Sequence, residues 1–214
     1  MIEDPELTVG FAAPEIQAEF PELRLVYTVV DGGPGRSPAA VRARLREASD
    51  RFTGGKAVTM RQQPIPAAYR VFFRHVGIDP DEQRTPIEAI ALERMKAGGF
   101  ASQGLVDDAL LLATLETGVP VQAFDADAVE GRIGLRLSQA GEELGEYRPL
   151  GSGQVTIADE RRPLAVLFGE VGSHAAVGRK TQRVTLVAVR VAGVPAVSVE
   201  EALWTAADTF SEAV

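Results

Sequence analysis

The sequence predicts an α+β fold, a mixed β-sheet layered domain with flanking helices. Three observations predict it. Helical spacing dominates before residue 118, and short β-branched runs dominate after it. One late run, 184–191, is apolar on both faces, as a central strand is. With 214 residues, 45% of them apolar, the chain is long enough to bury a core. It shows no repeat and no linker, so one domain over 1–214 is expected.

The elements follow in order. Residues 5–11 alternate and predict a strand, 14–20 a short helix and 23–30 a β-branched strand. Residues 31–35 are a Gly-Pro loop. Ser37 as a cap and Pro38 at the first helical position predict a helix to about residue 50. Val41, Leu45 and Ala48 face inward on it, and Arg42 and Arg46 share another stripe. Gly54-Gly55 predicts a loop over 52–63, and a helix is predicted over 66–75. Thr85-Pro86-Ile87-Glu88 is a capping box that opens a helix ending at Gly98-Gly99. Another helix covers 105–117. Strands are predicted over 119–124, 131–138, 143–150, 154–158, 164–168 and 184–191. A second capping box, Ser198 to Glu201, opens a C-terminal helix over 198–212.

Composition excludes several chemistries. There is no cysteine, and His75 and His174 are the only histidines. A His/Cys metal site cannot be assembled, so neither a metal nor a cofactor is expected. No run of 18 apolar residues exists, so no membrane span is expected, and the acidic start does not read as a signal peptide. Both point to a cytoplasmic protein. The net charge is −8, but residues 35–100 carry a net +5. That segment is a candidate RNA-facing patch, with Arg42, Arg46, Arg70 and Arg74 as contact residues. The competing reading is a solvated face of arginines paired with nearby acids.

Local motifs are sparse. Gly32-Gly33-Pro34-Gly35-Arg36-Ser37 lacks the phosphate-loop and dinucleotide patterns and reads as a turn. Asp125, Asp127 and Glu130 lack calcium-loop spacing and read as an aspartate-capped turn. Glu142-Glu143 reads as surface and His75 as a structural helix residue. Glu170 and His174 lie on a glycine-interrupted stretch, where they form a candidate general-base pair; a plain surface loop is the alternative.

Over 85–191 the ordered set Thr-Pro-Ile-Glu-Ala, Gly-Leu-Val-Asp-Asp, Ala-Phe-Asp-x-Asp-x-x-x-Gly, Ile-Gly-Leu-Arg, Ala-Gly-Glu and Thr-Gln-Arg-Val resembles the B3/B4 domain of the phenylalanyl-tRNA synthetase β subunit. Residues 85–191 carry the resemblance, and 1–84 match less clearly. The resemblance implies a layered α/β fold and an aminoacyl-tRNA editing pocket. In the synthetase this domain clears tyrosine from mischarged tRNA. The family's pocket asparagine falls on Leu111, its histidine on Gln122, beside Phe124, and its glutamate on Val187. Leucine and valine cannot hydrogen-bond a tyrosine hydroxyl, so the altered pocket favours a less polar amino acid. The resemblance therefore implies a freestanding, tRNA-binding deacylase of mischarged aminoacyl-tRNA. Water would be activated by the tRNA ribose hydroxyl, or by Glu170 or His174. The alternative is a non-catalytic module that binds RNA or a small amino-acid-like ligand. No stretch resembles a synthetase catalytic core, so ligation of an amino acid to tRNA is not expected.

Overall fold

The computed structural model describes residues 5–146 and 148–213; the acidic start at 1–4 and Tyr147, inside the predicted strand 143–150, lie outside that description. The fold is α+β, as predicted, with two four-stranded sheets among the described residues. The first has the order β1 (Thr8–Val9), β3 (Arg24–Asp31), β8 (Arg183–Arg190), β4 (Val121–Asp125), antiparallel throughout. The second has the order β2 (Phe11–Ala12), β5 (Gly134–Leu137), β6 (Val155–Ala158), β7 (Pro163–Val166), with only the β2–β5 pair parallel.

The single strand predicted over 5–11 is divided between the two sheets. The Gly10 N–H donates to Leu25 O in the first sheet, and the next N–H, of Phe11, donates to Ile133 O beside the second. A Cβ at Gly10 would lie 2.5 Å from the Ile133 carbonyl, so glycine lets the chain cross there.

β8 is the central strand the sequence predicts: Val184 through Val189 are all buried. Helix α7 (Ala196–Ser211) packs on β8 and β3, and α6 (Leu105–Thr117) packs on α7 and β4. α7 starts at Ala196 behind Pro195, so Ser198 lies inside the first turn and the predicted capping box does not form. Helix α1 (Pro14–Glu19) follows β2. Helix α2 (Ala39–Arg51) starts behind Pro38, and the Ser37 hydroxyl is spent on Asp108 rather than on a cap.

The loop predicted over 52–63 is instead a short helix, α3 (Gly54–Thr59), followed by a 3₁₀ turn at Met60–Gln62. Its glycines sit in the first turn, where the Thr53 hydroxyl accepts from Lys56 N–H. Helix α4 (Pro64–His75) follows, and its Tyr69 hydroxyl donates to Val189 O at 2.8 Å, tying the helix to β8. Helix α5 (Pro86–Ala97) has the predicted box: the Glu88 carboxylate accepts from Thr85 N–H and from its hydroxyl. Among the described residues, the strand predicted over 143–150 is reduced to a bridge between Glu143 and Pro149.

Candidate ligand pocket

Asp108, in the first turn of α6, is 1% exposed and accepts from the hydroxyls of Ser37 and Ser102 and from Gln103 N–H. Three donors on one carboxylate fix the start of α6 to the loop before it and to the approach to α2. That anchor sets α6 against β4 and leaves a cavity of about 330 Å³ between them. Leu110, Leu111 and Thr114 form one wall; Pro120, Val121 and Gln122 form the facing one. Pro86 and Ile90 of α5 close a side, and the turn Phe168-Gly169 after β7 closes an end. The Gln122 side-chain amide donates to Gly169 O at 3.2 Å, clasping β4 to that turn.

Of the four residues expected to line a pocket, Leu111 and Gln122 do so. Val187 stands opposite Gln122 in the β4–β8 ladder and is 1% exposed, so it supports Gln122 from within the sheet. Phe124 is fully buried two residues further along β4. Both belong to the core rather than to the cavity wall.

The cavity's charge is acidic. Glu93 and Asp107 are exposed on its wall beside the buried Asp108, and no lysine, arginine or histidine lines it among the described residues. Carboxylates with apolar walls suit a ligand that carries an ammonium group and an apolar side chain.

Sequence reasoning missed Phe168. Its φ is +55°, the one positive φ outside glycine among the described residues. A bulky residue in the left-handed region costs about 1–3 kcal/mol and persists where surroundings over-determine it. Here its ring is held edge-on by Tyr69 at 5.3 Å and Phe72 at 6.0 Å, and stacks on Phe73 at 5.8 Å. Only the adjacent glycine hints at that turn in the sequence.

The structure does not bring Glu170 and His174 together as a general-base pair. Glu170 is exposed and ion-paired with Arg148. Burial, and then the Arg162 charge, hold the His174 imidazole below its usual range. Its Nε2 is buried without a partner. No hydrogen bond joins the two side chains, and neither lines the cavity.

Arg70 is corrected as an RNA contact. It is 8% exposed and binds Asp81 and Glu88, each at 2.6 Å, joining α4 to α5. The hydrogen bond to Asp81 is the largest influence that raises its pKa. Arg46 and Arg74 are exposed and Arg42 is half-buried, on α2 and α4. Glu142, read as surface, is half-buried, and its bidentate bond from Arg136 holds the carboxyl below its usual range. His75, read as structural, is exposed at the end of α4.

Asp125 caps its turn as predicted, accepting from Asp127 N–H at 3.1 Å and from the Thr181 hydroxyl at 2.7 Å. Asp127 pairs with Arg183, and Glu130 with Arg161. Among the described residues, no group of three or more acids or histidines is placed to hold a metal ion. No helix among them is long and apolar enough to cross a membrane.

Two sheets flanked by helices, with an apolar, acid-rimmed cavity between a helix and an edge strand, define an α+β domain. The chain belongs to the B3/4 domain family, which matches residues 68–206. It is similar to the phenylalanine–tRNA ligase β subunit of Legionella pneumophila strain Lens, 34% identical over 109 residues, covering 49% of this chain and 14% of that subunit. The corresponding subunit of Xanthomonas oryzae pv. oryzae strain MAFF 311018 is 39% identical over 94 residues, covering 42% of this chain and 12% of that subunit. That of Streptomyces avermitilis is 31% identical over 127 residues, covering 58% and 15%. The chain thus spans only a small part of the length of these relatives. The family match contains both long walls of the cavity.

Proposed function

We propose that the chain, acting as one domain over 1–214, binds the aminoacylated 3′ end of a tRNA and hydrolyses the ester of an amino acid less polar than tyrosine. One observation carries this reading: the cavity between α6 and β4 joins apolar walls to acidic groups and has no basic residue in its wall. An amino acid esterified to tRNA presents an ammonium group and a side chain but no carboxylate, and that is the pattern such a cavity accepts. A free amino acid would place its carboxylate among Glu93, Asp107 and Asp108. Membership of the B3/4 family and similarity to tRNA ligase β subunits support tRNA as the carrier.

In the reaction, water adds to the ester carbonyl and the bond to the ribose oxygen breaks. The proton passes to that oxygen, releasing the free amino acid. Glu170 and His174 lie outside the cavity wall, which favours activation of the water by the neighbouring ribose hydroxyl. Leu111 on the cavity wall, in place of a hydrogen-bonding group, favours an apolar substrate. The same residue supports a second reading, a module that binds the ligand without turnover.

The test is deacylation of a panel of mischarged tRNAs by the wild type and by Glu170→Ala, His174→Ala and Leu111→Arg. We expect turnover with apolar aminoacyl groups, retained in the first two variants and lost in the third. No turnover at enzyme excess, with saturable binding retained, would establish the binding module instead.

A further inference from the structure

Behind the Phe168 turn lies a second cavity, of about 290 Å³, which the proposed reaction does not use. Phe20, Phe72, Phe73, Leu137 and Val155 line it, and Ser152 stands exposed at its mouth. Among the described residues, Phe168 is the one residue common to the walls of this cavity and the α6–β4 pocket. It is also the one non-glycine residue in the left-handed region, and three aromatic rings of α4 clamp its ring.

We infer that Phe168 is the partition that sets how long a side chain the α6–β4 pocket accepts, and that the aromatic cavity behind it is the space a longer apolar side chain would enter. The inference rests on reading that pocket as the ligand site. A backbone conformation unfavourable to phenylalanine is held here by contacts that serve the ring. The ring packs against α4, where Phe72 and Phe73 line the second cavity, and residue 168 also belongs to the wall of the first. Glycine at 168 would suit the backbone and remove the wall together.

The probes are amino-acid amides, which keep the ammonium group and lack the carboxylate. Leucinamide and tryptophanamide are titrated by calorimetry into the wild type, Phe168→Gly, Ser152→Trp and the double variant. The wild type is expected to prefer leucinamide at least tenfold. Phe168→Gly should shift the ratio of the two affinities at least tenfold toward tryptophanamide. Ser152→Trp, filling the far cavity from its mouth, should leave the wild-type ratio unchanged and reverse the shift in the double variant. Where Phe168→Gly does not fold, Phe168→Leu is read instead, with a shift of at least threefold. A folded variant whose ratio stays within twofold of a wild type that binds leucinamide overturns the partition alone. If neither the wild type nor any variant binds an amide, the partition and the pocket reading both fall.

Discussion

Gln122 and Val187 stand directly opposite each other across the β4–β8 ladder, and the Gln122 amide donates to the Gly169 carbonyl at the end of the α6–β4 cavity. The pair therefore joins the core of the first sheet to the turn that closes the cavity. Val187→Glu, the residue the family resemblance implies here, puts a carboxylate where Val187 is 1% exposed, with Gln122 and Tyr27 as its cross-strand neighbours. An unpaired buried charge is among the few single changes that cost more than about 4 kcal/mol. Val187→Glu is expected to lose that much at pH 7, read as a fall in the urea midpoint. Part of the loss should return at pH 5, where the buried carboxyl takes up a proton. A loss under about 1 kcal/mol would show that Val187 lies on an open wall rather than in the core.

Gly33 and Gly35 share a loop and differ in what surrounds them. A Cβ at Gly33 would fall 2.0 Å from the Thr181 carbonyl oxygen, whereas one at Gly35 would meet nothing within 4 Å. Backbone cannot yield as a flexible side chain can. Gly33→Ala is expected to cost about 3 kcal/mol, and Gly35→Ala to change stability by less than about 0.5 kcal/mol. Equal thermal shifts in the two variants would count against the approach of 31–35 to the Thr181 strand entry.

The contrast shows which parts of the molecule were legible in the sequence. Local signals located α5 by its capping box, α6 by its run between Gly104 and Gly118, and β3 and β8 by their β-branched runs. The resemblance implies Leu111 and Gln122 in a ligand pocket, and both line the cavity between α6 and β4. The same resemblance placed Val187 there, but one-residue alternation in a sheet buried on both sides hides which neighbour a residue meets. Ser37 read as a cap because its partner, Asp108, lies 71 positions away. Gly10 looked like the interior of a strand because a crossing between sheets depends on Ile133, far along the chain. Phe168 left only the hint of the adjacent Gly169, since its conformation is held by three rings of α4.

His174 gives a distinct pH dependence. Burial, followed by the Arg162 charge, depresses its folded pKa below the usual 6.5. As pH falls through about 6.5, the unfolded state binds a proton that the folded state resists, so stability declines down through the folded value. His174→Gln should flatten this window in denaturant midpoints measured from pH 7.5 to 5. Glu142 acts lower: its bond from Arg136 depresses its pKa from 4.5, so its contribution is present above that value and lost as pH falls through the folded one. Glu142→Gln should remove only that acid-side loss. A wild-type profile flat between pH 7.5 and 5 would contradict the assigned environment of His174.

Arg70 and Arg46 separate a structural cation from one available to RNA. The Arg70 guanidinium bridges Asp81 and Glu88, and the Glu88 side chain is only 12% exposed. Arg70→Met would leave Glu88 charged and largely enclosed, at a cost of about 3 kcal/mol. For a chain of this size that lowers Tm by roughly 6–12 °C. Arg46 is exposed on α2 and has no ion-pair partner among the described residues. Arg46→Gln should therefore leave Tm within about 2 °C, since surface changes rarely exceed 0.5 kcal/mol. If α2 meets the tRNA backbone, Arg46→Gln should also reduce the slope of log affinity against log salt by about 0.7–0.9, the share of one phosphate contact. Folded Arg70→Met, assayed below its melting range, should keep the wild-type slope. A lowered slope in Arg70→Met with an unchanged Tm would reverse the assignment and return Arg70 to the RNA-facing surface.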